Sequence, residues 1–106
     1  MPYTLYVIEL DREVLTRSRF SKANPDHRPD KPCVYVGSTW LTAETRFAQH
    51  KSGVKSNRYV RDSGVKLMPR LYRNHQTYAT RAEAEAAEER VALRLRKRGC
   101  AVWFGV

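Results

Sequence analysis

Tyr35-Val36-Gly37-Ser38-Thr39-Trp40-Leu41-Thr42-Ala43-Glu44-Thr45-Arg46-Phe47-Ala48-Gln49-His50-Lys51-Ser52-Gly53 is the stretch from which the rest of the sequence is best read. Val34, Tyr35 and Val36 open it as a short β-branched strand, stopped by Gly37. After Ser38 and Thr39 the pattern restarts as a helix over about 43–52, with Thr42 as N-cap and Gly53 as the left-handed C-terminal residue. Glu44 in its first turn and Lys51 in its last suit the helix dipole. Arg46 and His50 stand four apart and therefore share a face. A strand-end tyrosine, an arginine and a histidine converge, a grouping suited to chemistry on a phosphate.

The composition points the same way. The 106 residues make one domain, and 20 Lys+Arg against 11 Asp+Glu give a net charge of +9. A domain this basic is expected to meet a polyanion, and nucleic acid is the commonest. An anionic membrane surface is the rival, but no helical face of exposed apolar residues is evident, no run is long enough to span a bilayer, and the N-terminus lacks a signal pattern. A cytoplasmic protein is expected, nucleoid-associated if the source is prokaryotic. Cys33 and Cys100 read as reduced, buried strand residues, and with a histidine they lack zinc-ligand spacing.

Around the opening stretch, residues 2–10 form a first strand, apolar on both faces and so central, with Tyr6 in its middle. Residues 11–32 read as a long, basic surface loop, because Pro25, Pro29 and Pro32 break its second half. Residues 33–38 then pair with the first strand, with Cys33, Tyr35 and Gly37 on one face and Val34 and Val36 on the other. Residues 54–78 mix Lys55, Arg58, Arg61, Arg70 and Arg73 with tyrosines, as a nucleic-acid-facing surface would, though a solvated loop anchored by tyrosines reads equally well. A helical turn near 59–62 and an extended piece near 66–73 are the elements expected there. Thr80 and Glu83 make a capping box for a final helix that Gly99 ends, and residues 100–104 form a last strand. His27 and His75 read as surface residues, and Trp40 and Trp103 as packing anchors. The fold class expected is α/β of the α+β type: a short, mainly antiparallel three-stranded sheet flanked by helices.

One acid is out of place. Ala84, Ala87, Val91 and Leu95 recur at the spacing of one helical face, and Glu88 falls inside that stripe. An unpaired buried carboxylate costs several kcal/mol, so either the acid sits at the stripe's rim and reaches water, or a compensating cation is implied, Arg46 or a divalent metal.

With Tyr6, Tyr35-Val36-Gly37, Arg46, His50 and Glu88 assembled, the chain resembles the GIY-YIG nuclease domain over nearly its whole length. Tyr35-Val36-Gly37 stands for the second name-giving motif, Arg46 to Gly53 for its helix, and the helix around Glu88 for the metal-binding one. The first motif here is Thr4-Leu5-Tyr6, with the tyrosine and without the glycine, and Tyr6 and Tyr35 are 29 apart because of the 11–32 insertion. The resemblance implies a divalent-metal-dependent endonuclease that hydrolyses DNA phosphodiesters. Glu88 would hold one Mg²⁺ or Mn²⁺, Arg46 would bind the scissile phosphate, Tyr6 or Tyr35 would orient or deprotonate the water, and His50 would support that tyrosine or relay its proton. Gly37 would let backbone approach the phosphate, and Ser38, Thr39, Lys51, Lys55, Arg58, Arg61, Arg70 and Arg73 are candidate substrate contacts. A non-catalytic nucleic-acid-binding module is the alternative. RNA is a possible partner in place of DNA, and any strong targeting would have to come from residues 11–32, residues 54–78 or a protein partner.

Overall fold

In a computed structural model of the protein, residues 2–105 are described. Strand β1 (Thr4–Leu10) lies at the centre of the sheet, as its two-faced apolar sequence requires. It pairs antiparallel with β2 (Cys33–Thr39), setting Tyr6 opposite Gly37 and Leu5 opposite Ser38. The sheet is four-stranded and mixed, in the order β3-β1-β2-β4, not the three-stranded one expected. Strand β4 (Ala101–Phe104) runs parallel to β2, and the short β3 (Gly64–Leu67) adds antiparallel to the other side of β1.

Residues 11–32 are not one loop. A 3₁₀ turn (Arg12–Thr16), capped by Asp11, leads into helix α1 (Ser18–Ala23), and only the proline-broken second half is irregular. Val14 and Phe20 anchor this segment in the core. Asn24 then stitches it to β4: its Oδ1 accepts from the Val102 N–H (2.7 Å) and its Nδ2 donates to the Val102 carbonyl (3.1 Å). The outer edge of β4 is thereby satisfied at that residue.

Helix α2 spans Ala43–Ser52, with the Thr42 hydroxyl accepting from the Thr45 N–H and Gly53 left-handed at φ 89°. Helix α3 (Arg58–Ser63) is the short helical turn expected there, capped by Asn57. Helix α4 (Arg81–Lys97) starts at Thr80, whose hydroxyl accepts from the Glu83 N–H. The alternation of the strands sorts the core into two layers. Leu5, Val7, Val34, Val36 and Val102 meet the Ala84, Ala87, Val91 and Leu95 stripe of α4. On the other face, Tyr6, Ile8, Cys33 and Tyr35 pack with Val14, Phe20, Ala43 and Val60. The sheet is thus sandwiched between α4 and the three shorter helices, and side chains from both layers can meet only around a sheet end or edge. Both cysteines are buried and free. Among the described residues no helix is long and apolar enough to cross a membrane.

Candidate active site

Such a meeting point exists where β2 runs out and β1 begins. A cleft of about 470 Å³ opens there. Tyr6, Tyr35, Ser38 and Thr39 come from the strands; Arg46 and Gln49 come from α2, joined by Lys55 just beyond it. Arg81, Glu85 and Glu88 form the opposing wall from α4, and Tyr3, Trp40, Leu41 and Gly105 complete the lining.

His50 lies behind this wall, 1% exposed, and its two ring nitrogens are both engaged. Nδ1 faces the backbone N–H of Asn57 at 3.1 Å, and Nε2 faces the Tyr6 hydroxyl at 2.8 Å. An amide N–H only donates, so Nδ1 must carry a lone pair, and the neutral ring's proton is assigned to Nε2. His50 therefore donates to the Tyr6 oxygen. Burial, aided by the Arg46 charge, holds the imidazole's pKa down at about 4, so the ring is neutral at pH 7. Burial likewise pushes the Tyr6 hydroxyl above its ordinary pKa, with the Arg46 cation pulling the other way. Tyr35 is also raised by burial, and its hydroxyl donates to the Gly105 carbonyl. Of the two tyrosines, Tyr35 has its proton committed to the backbone, whereas Tyr6 receives a proton donor from behind and faces the cleft.

Gly37 has a different part from the one its sequence suggests. It does not stop β2, which continues to Thr39, and it does not line the cleft. It lies beneath the two rings: a Cβ there would sit 2.5 Å from the Tyr6 hydroxyl oxygen and 2.9 Å from Tyr35 Cε2. The absent side chain is what lets both tyrosines lie down over the strand.

Arg46 is held from one side. Its Nη1 donates to Gln49 Oε1 (3.1 Å) and to the Val54 carbonyl (3.3 Å), and its Nη2 to the Lys55 carbonyl (2.7 Å). Lys55 adopts the left-handed region at φ 44°, which turns that carbonyl inward. Across the cleft Glu88 is 5% exposed. Its Oε2 accepts from the Ser38 hydroxyl at 3.0 Å, and among the described residues no cation lies within ion-pair distance of it. Burial pushes its carboxyl up to about 7, against the hydrogen bond from Ser38. Arg46 is thus not the compensating cation. A carboxylate with one hydroxyl donor, opening on a solvent-filled cleft, fits a divalent ion that keeps most of its waters. No group of three His, Cys, Asp or Glu gathers among the described residues, so such an ion would have few protein ligands.

The other basic candidates lie outside the cleft. Lys51 spans from α2 to the carbonyls of Arg61 and Gly64, both at 3.1 Å. Arg58 lies over the Tyr59 ring, and Arg61 pairs with Asp62. Arg70 and Arg73 are exposed around the 3₁₀ turn at Pro69–Leu71. Sequence reasoning missed Arg81 and Glu85, although they precede Glu88 by seven and three residues and so share its helical face. Trp40 was expected to be a packing anchor; its indole is 54% exposed at the cleft. Trp103 does pack, its ring centroid 5.0 Å from that of Tyr59. Compared with known protein families, curated proteins and solved structures, the chain matches none.

Proposed function

We propose that this protein is a divalent-metal-dependent endonuclease of the GIY-YIG type that hydrolyses DNA phosphodiester bonds. The observation that carries the reading is Glu88: a buried carboxylate with no cation within ion-pair distance among the described residues, facing Arg46 and the Tyr6–His50 pair across a polar cleft. Tyrosines on neighbouring antiparallel strands, Arg and His on one helix and Glu on a later one also agree with the family's arrangement.

Glu88, with its oxygens oriented by Ser38, would hold one Mg²⁺ or Mn²⁺. Bound there, the ion would supply stabilisation for the negative charge that develops as the phosphodiester is cleaved. Arg46 is preset by three carbonyl-type acceptors, so it binds the scissile phosphate with little rearrangement, and Lys55 adds charge beside it. Tyr6 is a neutral phenol in the free protein. Its oxygen, accepting from His50 and lying beside the Arg46 cation, would orient the attacking water toward phosphorus. As the water oxygen bonds to phosphorus and the opposite P–O bond breaks, the proton the water gives up would pass through cleft solvent to the leaving oxygen, while Tyr6 stays a neutral phenol held in place by the His50 Nε2–H. With Nε2–H engaged to Tyr6 and Nδ1 accepting from the Asn57 N–H, His50 takes up no proton in this step and acts as a positioning residue.

Incubation of the wild type with plasmid, branched and single-stranded DNA and Mn²⁺ should give cutting that EDTA stops. Arg46→Ala and Glu88→Ala should each cut at least about a hundredfold more slowly. Glu88→Ala should still bind DNA at least as tightly, because an anion facing a polyanion is gone. A non-catalytic binding module, to which the basic wall alone would also lend itself, requires instead that no DNA is cut under any metal.

A further inference from the structure

We propose that Trp40 is a stacking platform for an unpaired base, so that the DNA this cleft takes is single-stranded or branched next to the scissile phosphate; this rests on the nuclease reading above. Trp40 is the most exposed large hydrophobic side chain among the described residues. Its place is fixed by the chain around it. Ser38, two residues before, is tied to Glu88, and the buried Thr39 accepts from the Leu41 N–H through its hydroxyl at 3.0 Å. That turn ends β2 and carries the indole out beside the carboxylate wall.

An indole that simply anchors packing lies against other rings, as the partly buried Trp103 does against Phe20 and Tyr59. Trp40 instead faces a cleft whose other wall presents Arg46 and Lys55. Phosphates on the cationic wall and a flat aromatic surface at the lining are the two parts of a single-strand groove. In duplex DNA the base faces are covered by their neighbours, leaving an indole nothing to stack on. An unpaired nucleotide next to a junction or nick exposes that face. At about 470 Å³ the cleft is in the range that takes a small molecule, as one extruded nucleotide would need.

The test is binding in EDTA, where nothing is cut, so its result stands apart from whether the protein is a nuclease. The probes are a short single-stranded oligothymidylate and a blunt-ended duplex. Tryptophan fluorescence of the wild type should be quenched saturably by the oligothymidylate, and Trp40→Ala should lose the quench. By fluorescence anisotropy of the labelled strands, Trp40→Ala should bind the single strand about tenfold more weakly, Trp40→Phe should recover most of that loss, and duplex affinity should change by less than about twofold. Circular dichroism melts of both variants should match wild type, since the side chain is exposed. Unchanged single-strand affinity in Trp40→Ala, or an equal loss on both probes, overturns the proposal.

Discussion

His50 carries two roles in one ring, and they can be separated. Asparagine places its oxygen near the position of Nδ1, so His50→Asn keeps an acceptor for the Asn57 N–H and loses the donor to Tyr6. Glutamine reaches the Nε2 position, so His50→Gln keeps the donor and leaves the Asn57 N–H unpaired. His50→Gln should therefore lose about 1–3 kcal/mol in urea unfolding, and His50→Asn less. Cutting should fall about a hundredfold in His50→Asn if support of Tyr6 is what the histidine provides. The imidazole's folded pKa, about 4, lies below its unfolded value of 6.5. Its contribution to stability is thus complete above pH 6.5 and is lost as pH falls through 4, because the unfolded chain takes up the proton first. The loss should reach about 3 kcal/mol in the wild type and vanish in His50→Asn. If both proteins unfold with the same pH dependence between 6.5 and 4, the buried neutral ring is the wrong assignment.

The elements differ in how much of themselves they display. Helix α2 was legible to the residue because Thr42 and Gly53 bracket it with the chemistry of a start and a stop. Glu88 was legible because a seventeen-residue helix gives the apolar period room to repeat, and the acid breaks that repeat. The turn at Arg12–Thr16 and helix α1 were hidden for the opposite reason: five and six residues, with one buried side chain each, are too short for any period. Strand β3 was seen only in part. The extended piece expected near 66–73 runs instead over Gly64–Leu67 and gives way to the 3₁₀ turn at Pro69–Leu71, because a four-residue element with Val65 and Lys66 facing water shows no alternation. The parallel pairing of β4 is a tertiary choice that no local pattern records. Gly37 was seen and misread, since the sequence cannot place two rings above it. That placement yields a prediction for the strand pair. Gly37→Ala leaves an ordinary strand backbone but puts a methyl group within 2.5 Å of the Tyr6 hydroxyl oxygen, so the ring must move off His50. Overpacking of this kind costs about 1–3 kcal/mol. Cutting should drop far more than thermal stability, and Tyr6→Phe should reproduce the activity loss without the clash. An active Gly37→Ala would mean that the tyrosine's position over the strand is not required.

Across the whole molecule, the cleft joins a cation-rich wall built near the middle of the chain to a carboxylate held by the last helix, inside a protein of net charge +9. The surrounding positive charge would favour a polyanion and disfavour a bare metal ion, so a metal bound in the proposed role would need its affinity from local groups, and Glu88 is the one that could supply it. Without metal, its folded pKa of about 7 lies above its ordinary 4.5. A raised acid stabilises the fold below the unfolded pKa and loses that contribution as pH rises through the folded one, the reverse of His50. Because Glu88 borders the open cleft, the loss between pH 4.5 and about 8 should be about 1–2 kcal/mol, less than the full shift would give. A divalent ion at the carboxylate replaces the proton and removes the loss. Mn²⁺ should therefore raise the melting temperature more at pH 8 than at pH 6, and its apparent affinity should fall as pH drops below 7, toward tenfold per unit. Titration calorimetry at pH 6 in buffers of different ionisation enthalpy should register close to one proton released per ion bound. Glu88→Gln should be insensitive to Mn²⁺ at both pH values and should lack the high-pH loss of stability. A Mn²⁺ response that survives in Glu88→Gln would place the metal elsewhere and remove the basis for hydrolysis at this cleft.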